Sequence, residues 1–276
     1  MEAKNWEYST ADGILIKGLH WQVAKPKAVI GIIHGLGEHA ARYGYFAQQY
    51  NKAGFAVLAY DRRGHGASGG KRGHTISYAA YLQEIDKLVE QMALEYPGQA
   101  IILYGHSMGG NLLLNYLLET NKNIKAAVAS APWIDLAFKP STLKVQLGRL
   151  VRSILPALSM KNDLDPRQIS RDEAVVQQYI DDPLVHDRIT PNTGVSMLEQ
   201  ASFLNTYEGE MNLPLLVMHG TGDQILSHDA AKAFADRLDL PFKSWPGAFH
   251  ELHQETNKDE IIDWSIDWIG KQLKNA

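Results

Sequence analysis

A serine hydroxyl is a weak nucleophile until a base takes its proton, and the base works best when a carboxylate orients it. In this chain one serine is singled out by its setting. The apolar run Ile101-Ile102-Leu103-Tyr104 leads into Gly105-His106-Ser107-Met108-Gly109-Gly110, and a helical pattern from Asn111 to Glu119 follows at once. Gly-x-Ser-x-Gly between a strand and a helix predicts a nucleophile elbow, a turn so sharp that its serine sits in strained backbone. Gly105 and Gly109 suit such a turn because neither carries a Cβ to clash. Ser107 is then expected above a sheet, at a helix N-terminus that favours developing negative charge.

The partners of Ser107 are sought downstream, because a strand–elbow–helix nucleophile is followed by its acid and then by its histidine. Two aspartates stand just after strand-like runs. Asp223 follows Val217-Met218-His219-Gly220-Thr221-Gly222, and Asp135 follows Ala131-Pro132-Trp133-Ile134. Asp223 is preferred, since it comes after the last-but-one strand. His250 lies in the short loop Pro246-Gly247-Ala248-Phe249-His250, and His253 stands three residues on. His250 is preferred as base because it is nearer the strand end, while His253 reads as a flanking histidine. The other histidines read as structural, with His34 and His106 lining turns near the site. An acyl-transfer intermediate also needs two N–H donors for its oxyanion. The backbone N–H of Met108 is one candidate, and that of Leu36, in the loop His34-Gly35-Leu36-Gly37-Glu38, is the other.

Two further patterns point elsewhere. Gly35-x-Gly37-x-x-Ala40 follows a strand, and Asp61 ends the next one. That satisfies a dinucleotide-binding fingerprint with a ribose-binding acid, but it leaves the elbow and the Asp–His pair without a role. His250-Glu251-Leu252-His253 suggests a zinc helix, yet the second histidine would have to stand at 254, which is Gln254. No cofactor and no metal are expected.

The elements that must position these residues follow from the apolar pattern. Trp6–Thr10 and Ile14–Gln22 predict a hairpin about Asp12-Gly13. Strands at Ala28–Ile33, Phe55–Tyr60, Ile101–Tyr104, Ala126–Ser130, Leu215–Met218 and Phe242–Trp245 alternate with helices at Arg42–Ala53, Tyr78–Tyr96, Asn111–Glu119, Asp229–Leu238 and Glu260–Leu273. Alternation of this kind predicts an α/β fold, a mostly parallel sheet with helices on both faces. The hairpin would add antiparallel strands at one edge.

From 134 to 206 the alternation stops and a helical, proline-bearing pattern replaces it. The expected organisation is a core of 1–133 and 207–276 with residues 134–206 inserted as a helical lid over the sheet edge where ligands bind. Within the lid the charges Lys139, Lys144, Arg149 and Arg152 are all positive and interleave with Leu143, Leu147, Leu150, Ile154 and Leu158. Two compatible readings exist: an apolar face packed over the core with charges in water, or a basic, apolar surface that touches membrane or lipid aggregates.

Totals narrow the classes. A chain of 276 residues is long enough for one large domain with an insertion. A formal net charge of −4 argues against bulk nucleic-acid binding, and the lack of cysteine removes thiolate chemistry and cysteine-based zinc sites. The start lacks the apolar core of a signal peptide, and no run is long enough to span a bilayer. A cytoplasmic protein is expected, peripheral at a membrane where the lid touches one.

Taken together, the segments His34-Gly-Leu-Gly-Glu-His39 with Arg42-Tyr43, Asp61-Arg-Arg-Gly-His-Gly-Ala-Ser68, Gly105-His-Ser-Met-Gly-Gly110, Asp182-Pro-Leu184, Met218-His-Gly-Thr-Gly-Asp223 and Gly247-Ala-Phe-His250 resemble the monoacylglycerol lipase and lysophospholipase branch of the α/β-hydrolases. That branch overlaps the group labelled serine aminopeptidase-like. The resemblance implies an α/β-hydrolase fold, the triad Ser107, Asp223 and His250, oxyanion donors at Leu36 and Met108, and a lid with an apolar acyl channel. It implies a single-chain lipid ester as substrate, a monoacylglycerol first, with lysophospholipids or general carboxylic esters as alternatives. A peptidase or amidase with the same triad is a further alternative. An exopeptidase would need a lid carboxylate to grip a free amino terminus, for which Asp163, Asp165, Asp172 and Glu173 are candidates.

Overall fold

A computed structural model describes residues 2–139 and 141–274, apart from the side chains of Thr142 and Lys144. Strands β1 (Lys4–Ser9) and β2 (Leu15–Trp21) form an antiparallel hairpin. It turns at Asp12-Gly13, with Gly13 at φ +80°, a conformation that glycine adopts without steric cost. There follow β3 (Val29–Ile33), α1 (Gly44–Lys52), β4 (Ala56–Asp61), α2 (Tyr78–Glu95), β5 (Ile101–His106), α3 (Met108–Glu119) and β6 (Ala126–Ser130). The chain then enters α4 (Thr142–Ile154), β7 (Met160–Lys161), α5 (Glu173–Asp181), β8 (Arg188–Ile189) and α6 (Pro191–Thr206). It closes with β9 (Leu215–Gly220), α7 (His228–Arg237), β10 (Phe242–Trp245) and α8 (Lys258–Lys274).

Eight strands make one sheet in the order β1-β2-β4-β3-β5-β6-β9-β10. The hairpin adds its strands antiparallel at one edge, and every other pairing is parallel. The central strands are buried on both faces, which explains their continuous apolar runs. Ile101 and Leu103 of β5 face the layer of α2, α3, α6 and α7, while Ile102 and Tyr104 face the layer of α1 and α8. β6 and β9 divide in the same way.

Register brings the functional loops to one edge. Ile33 pairs with Gly105, and His106 pairs with Ser130. The residues just beyond β3, β5 and β6 therefore emerge side by side.

Between β6 and β9 two parts pack differently. Helix α6 buries Met197, Ala201 and Leu204 in the same apolar layer as α3. Helix α4 lies on α6 with its apolar stripe turned outward: Leu143, Leu147, Leu150 and Ile154 are 74%, 55%, 59% and 69% exposed. That excludes the reading in which this face packs over the core. Arg152 ties α4 to α6 through Glu199 at 2.8 Å and Asn192 at 3.1 Å, while Lys139 and Arg149 stay exposed. The side chain of Lys144, the remaining positive charge of the pattern, lies outside the described residues. No described helix is long and apolar enough to cross a membrane.

Candidate active site

Ser107 sits at φ +56°, ψ −120°, in a region that non-glycine residues avoid. Its surroundings hold it there. Its N–H donates to Ser130 O at 3.0 Å, and its carbonyl accepts from Asn111 at 3.1 Å and Trp133 at 3.0 Å. The flanking glycines are needed for close approach. A Cβ on Gly109 would stand 2.0 Å from Ile33 O, and one on Gly105 would stand 2.5 Å from Gly109 O. Backbone held in such sparsely populated regions concentrates at functional sites.

Two long-range contacts complete the constellation. His250 Nε2 lies 2.9 Å from Ser107 Oγ, and His250 Nδ1 lies 2.7 Å from Asp223 Oδ2. Asp223 comes from the end of β9, and its other oxygen accepts from the backbone N–H of Ile225 at 2.8 Å and Leu226 at 3.0 Å. His250 comes from the loop after β10, which is anchored on both sides. Phe249 N donates to the buried Glu255, and Glu251 N donates to Ile169 O. The three side chains chosen from the sequence thus meet in hydrogen-bonding order. Asp135 does not join them; its carbonyl accepts from Ser227 at the start of α7.

The protonation states follow from burial and charge. Burial alone would raise the Asp223 carboxyl, but the charge on His250 and the hydrogen bonds of His219 and His250 outweigh it and hold the group far below the usual carboxylate range. Burial pushes His250 down, and the Asp223 carboxylate more than reverses this, so its pKa is raised above the ordinary imidazole value. His253 is buried and stacked on Tyr43 at 4.2 Å, and burial followed by the Arg42 charge keeps its ring neutral. It belongs to the packing beneath His250. His106 is likewise driven well below its usual range by burial, then by His250 and His253.

One residue beside the triad was missed. His219, buried at the end of β9, places Nε2 3.0 Å from Asp223 Oδ2. The signal was its spacing, four residues before the acid across the strand end. A histidine inside an apolar strand reads first as a core residue.

The two candidate oxyanion donors adjoin Ser107. Met108 is the first residue of α3, where a helix N–H has no intrahelical partner. Leu36 stands in the loop after β3, and among the described residues its N–H donates to no protein acceptor. The loop lies directly against the serine: a Cβ on Gly35 would come 3.2 Å from Ser107 Cβ.

These residues open into a cavity of about 520 Å³, within the ~300–1,000 Å³ usual for small-molecule sites. Gly35, Leu36, Ser107 and His250 line its floor, and Ile169, Tyr179, Ile180, Pro183 and Val185 come from the segment between β6 and β9. Of the carboxylates that line it, Glu251 pairs with Arg42 at 2.6 Å, Asp182 with His39 at 2.8 Å and Asp187 with Arg188 at 3.1 Å, while Glu38 accepts from Gly35 N and Tyr43 through Oε1 and its Oε2 has no hydrogen-bond partner among the described residues. Asp163, Asp165, Asp172 and Glu173 are not among the lining residues. Asp165 pairs with Arg167, and Asp172 caps α5. Nor does Asp61 suit a ribose, because its two oxygens accept from Ala40 N and Ala67 N at 2.7 Å each and tie two loops together.

Residues 24–257 match the family described as serine aminopeptidase, S33. The chain belongs to that family. Its α/β-hydrolase fold is shared with a crystal structure of Paleococcus ferrophilus monoacylglycerol lipase at TM-score 0.83 and 31% identity, over 100% of both chains. The S33-family chain is 32% identical to a monoacylglycerol lipase of Mycolicibacterium smegmatis, covering 90% of each. It is 35% identical to an uncharacterized abhydrolase domain-containing protein of Dictyostelium discoideum, spanning 91% of this chain but only 27% of that relative's length. By family and fold it is a serine hydrolase.

Proposed function

We propose that this S33-family hydrolase cleaves the ester of a monoacylglycerol, giving a fatty acid and glycerol. The observation that carries the reading is the unbroken chain Ser107 Oγ, His250 Nε2, His250 Nδ1, Asp223 Oδ2 at the floor of a cavity whose walls mix apolar side chains such as Leu164, Ile169, Ile180 and Val185 with polar ones. Ser107 attacks the ester carbonyl while His250 takes its proton. Asp223 orients the imidazole and stabilises its charged form. The N–H groups of Leu36 and Met108 hold the oxyanion, an arrangement whose single donors are each worth about 3–4 kcal/mol. His250 next protonates the leaving glycerol oxygen. It then activates a water that releases the fatty acid.

Of residues 134–206, the part before α6 acts as the lid in this reading, since α6 itself packs into the core layer beside α3. The walls this part contributes between Asn162 and Arg188 flank the acyl chain, and the outward leucines of α4, beside Lys139 and Arg149, rest on a lipid surface. The enzyme works in the cytoplasm in transient contact with such surfaces. Supporting the ester over the peptide alternative is the position of Asp163, Asp165, Asp172 and Glu173, the carboxylates expected to grip an amino terminus, none of which lines the cavity.

The test is a substrate panel on the purified chain: monoacylglycerols of graded acyl length, the matching lysophospholipids, p-nitrophenyl acyl esters and aminoacyl-nitroanilides. Monoacylglycerols should give the highest kcat/KM. Faster turnover of the anilides would overturn the ester reading, and faster turnover of lysophospholipids would move the head-group assignment.

A further inference from the structure

The Gly35–Leu36 peptide carries the N–H of Leu36 on one edge and the carbonyl of Gly35 on the other. The unit is planar and trans, so the two groups point in opposite directions. Whatever holds the carbonyl therefore aims the N–H.

Two groups hold it. His34 Nδ1 lies 2.8 Å from Gly35 O, and Arg62 Nη2 donates to the same oxygen at 3.3 Å. Arg62 also sets the histidine. Its backbone N–H donates to His34 Nε2 at 3.1 Å, which places the ring proton on Nδ1; Arg62 Nη2 also lies 3.2 Å from that Nδ1, so two donors crowd together on the one carbonyl oxygen they share. Burial, then the Arg62 charge, pushes His34 well below its ordinary pKa, which keeps the ring in this neutral form. Arg62 itself is fully buried. Among the described residues its Nε and Nη1 have no hydrogen-bond partner, and Gly35 O is the carbonyl that its guanidinium reaches.

We propose that Arg62 is a positioning residue: it locks the Gly35–Leu36 peptide so that the Leu36 N–H stays in the productive orientation. This rests on the reading of Leu36 as an oxyanion donor. A lock is needed because residue 35 is glycine, whose backbone rotates with little steric resistance. A flipped peptide would present the Gly35 carbonyl oxygen where the oxyanion must form. The same flip would strip a buried guanidinium and a buried imidazole N–H of their acceptor, and desolvated donors without partners are costly. On the other side of the glycine, its N–H is taken by Glu38 Oε1, so the loop is gripped at both ends of the residue.

The experiment compares Arg62→Met, Arg62→Gln and Arg62→Lys with the parent protein, using p-nitrophenyl butyrate turnover and a trifluoromethyl ketone that forms a tetrahedral adduct on the serine. Loss of one oxyanion donor is expected to lower kcat of Arg62→Met by about 100-fold, with KM within about 2-fold. Affinity for the ketone should weaken by the same factor, and Arg62→Lys should recover most of both. If Arg62→Met does not fold, Arg62→Gln, which keeps a polar group but shortens its reach, is read in the same way. A folded Met or Gln variant with parental kcat, or one altered only in KM, overturns the proposal. Fluorophosphonate labelling of the parent at Ser107 separates this failure from failure of the hydrolase reading: without labelling the triad itself is wrong, whereas labelling with parental kcat in the variants removes only the role of Arg62.

Discussion

His219 and His250 share one acceptor atom. Asp223 Oδ2 lies 3.0 Å from Nε2 of the first and 2.7 Å from Nδ1 of the second. His219 is fully buried and burial lowers its pKa, so it acts as a neutral donor. A neutral N–H draws charge from the carboxylate and weakens its pull on the His250 proton. Removing it in His219→Leu should strengthen that pull and raise His250 further. Because the base must be deprotonated to act, the acidic limb of kcat/KM should move to higher pH, by on the order of half a unit. A profile with the limb unmoved or lowered would reduce His219 to packing.

The strain at the elbow separates stability from activity. Ser107 holds φ +56° against the preference of any residue with a Cβ. Ser107→Gly relieves that cost and should stabilise the fold by about 1 kcal/mol or more, read from urea midpoints. Ser107→Ala retains the strain and should leave stability near the parent. Both should lose at least ~10³-fold in ester turnover. Parental turnover in either would remove Ser107 from the nucleophile position.

The two histidines after β10 should differ sharply. His250 touches both Ser107 and Asp223, whereas neither ring nitrogen of His253 has a hydrogen-bond partner among the described residues. His250→Ala is expected to cost at least ~10³-fold in kcat. His253→Phe preserves the stack on Tyr43 and should keep kcat within about tenfold. The reverse ranking in steady-state assays would transfer the base to His253.

These residues were legible in different degrees for physical reasons. That Ser107, Asp223 and His250 come together could be read because each lies just beyond a strand, and a parallel sheet delivers the ends of its strands to one edge. The hairpin and most helices were legible too: Asp12-Gly13 is a local turn, and each of those helices shows its apolar period. The direction of the α4 leucine stripe was not legible. The same periodicity describes a helix packed inward and one lying outward, and only its contact with α6 decides. Arg62 was equally hidden, since a charge in a glycine-rich loop reads as solvated until the loop is seen folded beneath Gly35. His219 needed the three-dimensional meeting of strand end and turn.

Acid should destabilise the fold. His34, His65, His106 and His253 are held neutral chiefly by burial, well below the ordinary imidazole value, and His186 is pushed down to about 4. The unfolded chain takes up these protons near pH ~6.5 and the folded chain does not, so stability falls as pH drops below that value. Each group contributes up to about 1.4 kcal/mol per pH unit. His250 has the opposite sign, since its raised pKa adds stability that is complete at low pH and lost as pH rises through it. The raised carboxyls of Glu38 and Glu84, the latter at about 7, also bind protons first in the folded state. The depressed imidazoles outnumber these. Urea midpoints should be nearly flat from pH 8 to 7 and decline below 6.5; midpoints that rise toward pH 5.5 would contradict this protonation pattern.

The outward face of α4 makes the lipid-surface reading measurable. Leu147 and Ile154 are 55% and 69% exposed on one stripe. Moving a side chain of this size from water into an apolar layer is worth about 1.5–3 kcal/mol when complete, so the exposed fraction should contribute about 1–2 kcal/mol per residue. By that measure Leu147→Asp and Ile154→Asp should each weaken partition onto vesicles of mixed phosphatidylcholine and phosphatidylglycerol by about tenfold. Both positions lie on the outward face, away from the residues that line the cavity, so kcat/KM on dissolved p-nitrophenyl acetate should stay within about twofold of the parent. Turnover of long-chain monoacylglycerol presented on the vesicles should fall in step with the lost binding. If vesicle sedimentation shows the aspartate variants bound as tightly as the parent, α4 is not the contact surface. If binding falls while vesicle-borne turnover does not, the substrate reaches the cavity without the lid resting on lipid.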